Sequence, residues 1–293
     1  SYKVDTTLPT VSSVAITSED GIQNNLLNVG DNVSVTVTFS ENSPVTGTPQ
    51  LTLAVGDDNR TADYASSGIG GTTLVFQYMI QAGDNDSNGI SIRANALALN
   101  NGTIKDLAGN NATLTHSAVD NNSSYKVDNT LPTVSSVAIT SAPGIQNNLL
   151  NAGDNVSVTV TFSENVPVTN TPQLTLAVGD DNQMATYTSG DNSTTLVFQY
   201  MIQAGDNDSN GISIRANALA LNNGTIRDLA GNNATLTHSV VDNNSSYKVD
   251  TTLPTVSSVA ITSAEGIQNS FLNAGDNVSV TVTFSENVPV TNT

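Results

Sequence analysis

The sequence predicts an all-β protein built from two-sheet Greek-key sandwiches that follow one another along the chain. Apolar and polar residues alternate with a period of two in short runs, as in half-buried strands. Asn, Ser, Thr and Gly supply most of the polar residues, and only 12% of the chain is charged, which favours strands and turns. The same pattern also returns along the chain, and no window keeps a helical period over three turns. A helical solenoid is therefore excluded.

A tandem repeat organises the 293 residues. The segment Tyr-Lys-Val-Asp at 2–5 returns at 125–128 and at 247–250, in steps of 123 and 122 residues. Copy one covers 1–123, copy two covers 124–245, and a truncated copy three covers 246–293 with its first two strands. Because two strands cannot bury a core alone, either copy three is poorly ordered or the chain is an excerpt of a longer array. The near-identity of the copies favours the array.

Seven strands are predicted in copy one, at spacings near ten residues. The clearest runs from Val33 to Phe39, where apolar residues alternate with Ser and Thr. Short antiparallel strands of this kind, separated by turns, indicate a sandwich of two sheets. Residues 93–99 fit either a strand or a single helical turn. The predicted strands are 11–17, 33–39, 50–55, 62–66, 73–80, 89–92 and 112–115.

Short linkers join the copies at 119–124 and 241–246. Pro132 and Pro254 follow them and favour an extended entry into the next copy. We therefore expect successive sandwiches to meet end to end, with opposite poles in contact. The differences between the copies cluster at 60–71 against 183–193, which indicates one variable loop.

Composition excludes several classes of protein. The chain has 26 acidic and 8 basic residues and a net charge of −18, which would repel nucleic acid. The absence of Cys excludes disulfides, thiolate metal sites and a Cys nucleophile. No apolar run approaches the roughly 18 residues that span a membrane, and no signal peptide opens the sequence. Copies one and two carry −8 and −7 and copy three −3, so the acidity belongs to the repeat.

The sharpest candidate metal motif is Asp84-Asn-Asp86-Ser-Asn88-Gly-Ile, which returns in copy two. It matches the first half of a calcium loop, in which oxygens at alternate positions converge on one cation. A full EF-hand is rejected, because its last position would be Asn95 and no helices flank it. A β-loop calcium site and an Asx-rich hairpin turn both remain open. The equivalents in copy two are Asp206, Asp208 and Asn210.

Three further acidic groups recur at the ends of the predicted sandwiches. One is the Asp-Leu-Ala-Gly-Asn turn, one is the linker, and one is the Glu that follows the strongest strand. Plain turns and solvated charge are the alternatives for these groups. Acids on both sides of a short linker repel each other unless a cation lies between them, so Ca²⁺ is the expected cofactor. The candidates are Asp106 with Asn110, Asp228 with Asn232, the linker residues Asp5, Asp120, Asp128, Asp242 and Asp250, and Glu41, Glu164 and Glu286.

No catalytic set is recognisable in the sequence. His116 and His238 occupy one position in two copies, at a predicted strand end, where a surface role is expected. The sequence has no HExxH, no G-x-S-x-G and no phosphate loop. Asp84 and Asp86, two residues apart in a loop, are poorly placed to flank a glycosidic bond. We therefore expect a protein that is not an enzyme.

Four segments of the repeat stand out: YKVDTTLPTVSSVAIT, VSVTVTFSENVPVTNTPQLTL, GISIRANALALNNGTI and DLAGNNATLTH. Together they resemble the bacterial immunoglobulin-like repeats of giant secreted adhesins, the extender regions of RTX-type and biofilm-associated surface proteins. The resemblance covers the whole chain and implies immunoglobulin-like sandwiches in a tandem rod, calcium at or near the junctions, a bacterial cell surface and no catalysis. Glycine-rich nonapeptide repeats and a ligand-binding tip are missing, so the resemblance implies a stalk.

Three functions follow from this interpretation. The first is an extender stalk, stiffened by Ca²⁺, that projects a distal ligand-binding domain from the cell. The second is a structural subunit of an extracellular filament, sheath or surface layer, in which like chains also pack side by side. The third is a repeat that binds ice or polysaccharide along its flank. The expected partners are the neighbouring repeats of the same chain and, in a filament, other copies of it; nucleic acid and membrane insertion are not expected.

Overall fold

The computed structural model describes residues 3–18, 24–141, 148–262 and 271–290, and every regular element in these ranges is a β-strand. The prediction of an all-β protein is confirmed. Copies one and two carry equivalent sets of strands, and one strand pair follows in copy three. Within the same ranges no helix is long and apolar enough to cross a membrane.

Copy one is built on a six-stranded antiparallel sheet with the strand order β1-β3-β7-β6-β5-β8. Two small pairs accompany it: β2 with β10, which is parallel, and β4 with β9, which is antiparallel. The strands are β1 (Val11–Ile16), β2 (Leu26–Leu27), β3 (Asn32–Phe39), β4 (Val45–Thr46), β5 (Gln50–Val55), β6 (Asp58–Ser67), β7 (Thr73–Met79), β8 (Leu97–Ala98), β9 (Thr103–Ile104) and β10 (Lys126–Val127).

Copy two repeats this arrangement, with the order β11-β13-β17-β16-β15-β19 in its large sheet. Its small sheets are β12-β21-β18 and β14-β20, and β22 pairs with β23 in copy three. The strands are β11 (Val134–Ile139), β12 (Leu149–Leu150), β13 (Asn155–Val166), β14 (Val168–Thr169), β15 (Gln173–Val178), β16 (Asp181–Ser189), β17 (Ser193–Met201), β18 (Asn207–Asp208), β19 (Leu219–Ala220), β20 (Thr225–Ile226), β21 (Lys248–Asp250), β22 (Val256–Ile261) and β23 (Val280–Phe284).

Strand β3 shows why the alternating segments form the core. Val33, Val35, Val37 and Phe39 are buried, while the Ser and Thr residues between them lie on the outer, half-exposed face. Burying one such side chain contributes about 1.5–3 kcal/mol relative to leaving it in water. Copy two buries its equivalent residues in a core of its own. In copy three the same sequence forms β23, whose one strand partner in the described part of the chain is β22, and it is exposed.

Two predicted strands are reduced to isolated bridges. Residues 89–92 bridge through Ser91 to Ala54 and through Ile92 to Val119, and residues 112–115 bridge through Thr113 to Thr10. The ambiguous segment 93–99 contains β8 rather than a helical turn. Strands β2, β4, β9 and β10 were not predicted, because two residues are too few to show an alternation.

The structural units are offset from the sequence copies. Strand β10, at the start of copy two, pairs with β2 of copy one, and Val127 is buried in the core of copy one. Tyr247 and Val249 join the core of copy two in the same way. The first unit therefore extends to about residue 128 instead of ending at 123, because Tyr-Lys-Val closes the preceding core.

The variable segment is a strand followed by a loop, because residues 68–71 and 190–192 lie in the turns after β6 and β16. Residues 60–67 lie in β6, and the equivalent residues 183–189 lie in β16. Most of these side chains point outward, so they can vary without disturbing the core.

Candidate metal centre at the junction of the copies

Three carboxylates that are far apart in the sequence meet where copy one joins copy two. Asp128 follows β10, Glu164 lies in β13, and Asp228 follows β20. One carboxylate oxygen from each lies within 4.8 Å of the other two. Asp228 is buried, and the other two are half-buried. These residues form the junction triad, and all three belong to the acidic groups that the sequence singled out.

Copy one carries the equivalent triad at its own outer pole. It consists of Asp5, Glu41 and Asp106, with the same limit of 4.8 Å between the carboxylate oxygens. Asp106 is buried and Asp5 is exposed. The structure thus brings together the turn Asp, the strand-end Glu and the linker Asp in both complete copies.

The Asp-Leu-Ala-Gly-Asn turn holds its buried Asp through Asn232. The backbone N–H of Asn232 donates to one carboxylate oxygen of Asp228 at 2.8 Å, and its side-chain amide donates to the other at 2.8 Å. Gly231 adopts a φ of +91°, which closes the turn at little steric cost because glycine has no Cβ. Asn110 fixes Asp106 in the same way.

Asp128 is anchored to both copies. Its backbone N–H donates to the carbonyl of Leu27 in copy one at 2.9 Å. Its own carbonyl accepts from the side-chain amide of Asn232 in copy two at 2.7 Å. One of its carboxylate oxygens accepts from the N–H of Thr130 at 3.0 Å, which forms an Asx turn. A ligand held by the triad would therefore act on the junction itself.

The electrostatics of each triad oppose full ionisation. Burial raises the pKa of Glu164, and the neighbouring carboxylates of Asp128 and Asp228 raise it further. Burial, then Asp5 and Asp106, raise the pKa of Glu41.

Asp106 shows the opposite balance. Burial alone would raise its pKa, but hydrogen bonds from the side chain of Asn110 and from the backbone N–H groups of Asn110, Gly109 and Ala108 outweigh it and lower the pKa. Asp106 is thus kept ionised, whereas burial and the neighbouring carboxylates oppose the ionisation of Glu41 beside it.

A hard divalent cation is the chemistry that fits each triad. Ca²⁺ takes about six to eight oxygen ligands, and carboxylate and backbone carbonyl oxygens are its usual protein ligands. The triad offers three carboxylates. A cation between them would replace the mutual repulsion by attraction.

The residues of the Asp-x-Asp-x-Asn-Gly motif lie outside both triads. Asp84 is buried and accepts from Arg60 Nε at 2.5 Å, from the Tyr78 hydroxyl at 2.6 Å and from the N–H of Gln81 at 2.9 Å. In copy two the hydroxyl of Tyr200 and the amide of Gln183 donate to Asp206.

Asp86 is also fully engaged by donors. It accepts from the N–H groups of Gly56, Asn88 and Gly89 at 2.7–3.0 Å, and Asp208 does the same in copy two with Gly179, Asn210 and Gly211. The side chains of Asn88 and Asn210 are exposed. Each of these four carboxylates has both oxygens hydrogen-bonded, which is the geometry of structured turns.

The remaining candidates are not gathered into either triad. Asp120 and Asp242 are exposed, and each lines a shallow cleft beside its linker. Asp250 and Glu286 are the copy-three equivalents of Asp128 and Glu164, but the sequence ends before a third Asp-Leu-Ala-Gly-Asn turn. One oxygen of Glu286 is buried without a hydrogen-bond partner.

His116 has a structural role that sequence reasoning missed. Its Nε2 accepts from the N–H of Ala96 at 2.9 Å, and its Nδ1 lies 2.7 Å from the carbonyl of Ser117. His238 makes the equivalent bonds to Ala218 and Ser239. The imidazole therefore ties two loop segments together. The sequence shows only that the His recurs before each linker, and it gives no sign of these hydrogen-bond partners.

No protein-family model matches the chain, and no curated protein matches it. Among solved structures, it is similar to a DUF4785 family protein from Legionella pneumophila, with a TM-score of 0.25 and 8% identity over 78% of this chain. The match covers 55% of that structure, so this chain spans just over half of its length. A likeness of this size carries no functional argument.

Proposed function

We propose that the chain is a non-catalytic stretch of extender repeats from a large bacterial cell-surface adhesin. In this proposal each copy is an immunoglobulin-like sandwich, and Ca²⁺ at the junctions stiffens the copies into a rod that projects a distal ligand-binding domain. Strands β5, β6 and β7 form a three-stranded meander, and β3, which precedes them in the chain, lies beside β7. This is a Greek-key order, and it supports the sandwich because most β-sandwiches contain one.

The observation that carries the proposal is the position of the junction triad. Asp128 is hydrogen-bonded to both copies, and its carboxylate meets Glu164 and Asp228 of copy two. A cation bound there would link the end of one copy to the beginning of the next. The same arrangement at Asp5, Glu41 and Asp106 makes it a property of the repeat rather than of one contact.

The mechanical consequence follows from charge. Without a cation, the three carboxylates repel each other, and moving Asp128 away from copy two relieves that repulsion. With Ca²⁺ bound, separation would cost the ion its ligands, so the joined geometry is favoured. Ca²⁺ that binds only the folded state also stabilises that state, by about 2.7 kcal/mol when the Ca²⁺ concentration is 100 times the dissociation constant.

Thermal unfolding and small-angle X-ray scattering of the full chain, in EDTA and in millimolar Ca²⁺, test the proposal. We expect Ca²⁺ to raise the melting temperature and to narrow the distribution of molecular lengths. Asp128→Asn and Asp228→Asn should remove most of the effect on length. Asp120→Asn, which changes an exposed linker acid outside the triads, is the matched control and should respond like the wild type.

Equal melting temperature and equal length with and without Ca²⁺ would refute the calcium-stiffened rod. Light scattering in Ca²⁺ separates the stalk from the filament. A stalk stays monomeric at all concentrations, whereas growth into ordered assemblies would favour the structural subunit.

A further inference from the structure

A second contact joins the copies on the other side of the same turn. The side-chain amide of Asn28 donates to the carbonyl of Ala230 at 2.6 Å, and that of Asn24 donates to the carbonyl of Leu229 at 3.0 Å. Both donors belong to copy one, in the segment Asn-Asn-Leu-Leu-Asn at 24–28, and both acceptors belong to the Asp-Leu-Ala-Gly-Asn turn of copy two. We call this pair of hydrogen bonds the amide clasp.

We propose that the pole bearing Asn24 and Asn28 is a docking surface for the Asp-Leu-Ala-Gly-Asn turn of the following repeat, and that the amide clasp holds the two copies together without a cation. The proposal concerns a partner of defined chemistry, namely another copy of the same turn, and it goes beyond the calcium-stiffened rod.

The chain contains its own undocked reference for the turn. In copy two, Ala230 is 2% exposed and Leu229 is 36% exposed. In copy one the equivalent turn carries Leu107, which is 79% exposed, and Ala108, which is exposed. The hydrogen bonds inside the two turns are the same. The difference in burial therefore comes from docking against copy one and not from the fold of the turn.

The chain also contains an undocked reference for the pole. Asn28 is half-buried, whereas its equivalent Asn151 in copy two is exposed. Both are held by the same turn, in which the backbone N–H donates to the carboxylate of an Asp three residues later, Asp31 or Asp154, at 2.8 Å. The pole is thus preformed, and docking requires little ordering beyond the amide side chains.

The clasp does not use a titratable group or a metal ligand. Both donors are neutral amides, and both acceptors are backbone carbonyls, so chelation leaves them unchanged. A cleft of about 480 Å³ beside the clasp is lined by Asn28, Val29, Gly83, Asn129, Leu131 and Asn233 among others. The contact is therefore narrow, and we expect the two hydrogen bonds to carry much of its specificity.

Recurrence in the sequence agrees with a repeat-to-repeat surface. Asn-Asn-Leu-Leu-Asn returns at 147–151, and copy three has Asn-Ser-Phe-Leu-Asn at 269–273. The first and last Asn are kept in all three copies. The turn itself returns at 106–110 and 228–232.

Distance measurements between two spin labels test the clasp in the full chain. The protein has no Cys, so Thr61→Cys and Met184→Cys place one label on an exposed, equivalent strand position of each copy. In EDTA we expect a distance distribution dominated by a peak at the docked distance, with a minor broad component that added Ca²⁺ reduces. Adding Asn28→Ala and Asn24→Ala should broaden it, since each lost hydrogen bond lowers the ratio of docked to undocked molecules about fivefold. Asn147→Ala with Asn151→Ala, the equivalent positions in the sequence of copy two, is the matched control and should leave the distribution unchanged.

Hydrogen exchange distinguishes loss of docking from loss of folding. In EDTA the amides of the turn at 228–232 should exchange more slowly than those at 106–110, and the clasp variant should abolish this difference while the β3 and β13 amides remain protected. A distribution in EDTA without a peak at the docked distance, or one that the clasp variant leaves unchanged, would overturn the proposal. The response of the wild type to added Ca²⁺ is a separate result, so failure of the clasp and failure of the calcium-stiffened rod are distinguishable.

Discussion

At the scale of single residues, Asp84 shows that one buried carboxylate can be satisfied by different donors in the two copies. In copy one Arg60 pairs with it at 2.5 Å, and in copy two the amide of Gln183 takes the same place beside Asp206 at 2.8 Å. A tyrosine hydroxyl completes both sites. Burial, and then the hydrogen bond to Asp84, raise the pKa of Tyr78 to about 12, so the hydroxyl remains a donor.

Replacing Arg60 by Gln reproduces the arrangement of copy two. We expect a loss of about 1–2 kcal/mol from copy one at neutral pH, since a partly exposed charge-assisted bond is exchanged for a neutral one. Burial tends to raise the pKa of Asp84, but Tyr78, the N–H of Gln81 and Arg60 outweigh it and lower the pKa. The stability from Asp84 is therefore present above its unfolded pKa and is lost as the pH falls through the folded value. The variant raises the folded pKa, so acid unfolding should begin at higher pH.

Hydrogen exchange of β3, compared with β13 in the same molecule, measures this change. Arg93→Gln removes an exposed cation and serves as the control. If the two variants unfold at the same pH as the wild type, the ion pair contributes nothing measurable to copy one.

At the scale of elements, two turn glycines allow the cost of a left-handed backbone to be compared with the cost of steric overlap. Gly83 and Gly89 have φ values of +94° and +100°. A Cβ on Gly83 would meet open space, whereas one on Gly89 would overlap the carbonyl oxygen of Asn122. The second glycine therefore allows the linker at 119–124 to pass close to the Asp86 turn.

Substitution by Ala at these two positions should give unequal losses. Gly83→Ala should cost about 1–2 kcal/mol, from the left-handed conformation alone. Gly89→Ala should cost roughly 1–3 kcal/mol more, because the linker must also move. Chemical denaturation, with the exchange of copy two as an internal reference, measures both. Equal losses would show that Asn122 moves aside at no cost in stability and that its close approach to Gly89 does not stabilise the fold.

The elements also show which parts of the fold can be predicted from the sequence. Alternation over six or more residues predicted β1, β3, β5 and β7, because one face of each had to be buried. It could not predict β2 or β10, whose pairing depends on a parallel contact across about a hundred residues. The Asp-Leu-Ala-Gly-Asn turn and the Glu that follows β3 were identified as acidic candidates from recurrence. That they meet, and that Asp84 faces Arg60 instead, depends on the sheet order, which spacing alone does not encode.

At the scale of the whole molecule, part of the acidity of the chain lies where copy one meets copy two. The net charge of −18 is spread over the repeats, but the junction triad brings together three carboxylates, one of which, Asp228, belongs to the turn that copy one also contacts through Asn24 and Asn28. Any change in the charge of the triad therefore acts on the junction rather than on either core.

Proton release on Ca²⁺ binding is the expected consequence. Burial, and then Asp128 and Asp228, raise the pKa of Glu164 above its ordinary value of 4.5. In the cation-free protein the folded state then binds more protons than the unfolded state, and stability falls as the pH rises from the ordinary value through the folded one. A ligating carboxylate must be ionised, so Ca²⁺ bound at the triad would expel this proton, and its binding would weaken as the pH falls through the same window.

Calorimetric titration with Ca²⁺ in two buffers of different ionisation enthalpy measures the protons released. Glu164→Gln keeps a ligating oxygen but has no proton to lose, so the release should fall to the share of the triad at Glu41, and the pH dependence of the junction site should flatten. Asp120→Asn changes an exposed acid outside both triads and should leave the release unchanged. Equal proton release in the wild type and in Glu164→Gln would mean that Glu164 is already ionised before the cation binds. Repulsion within the triad would then not destabilise the contact between the copies in the absence of metal.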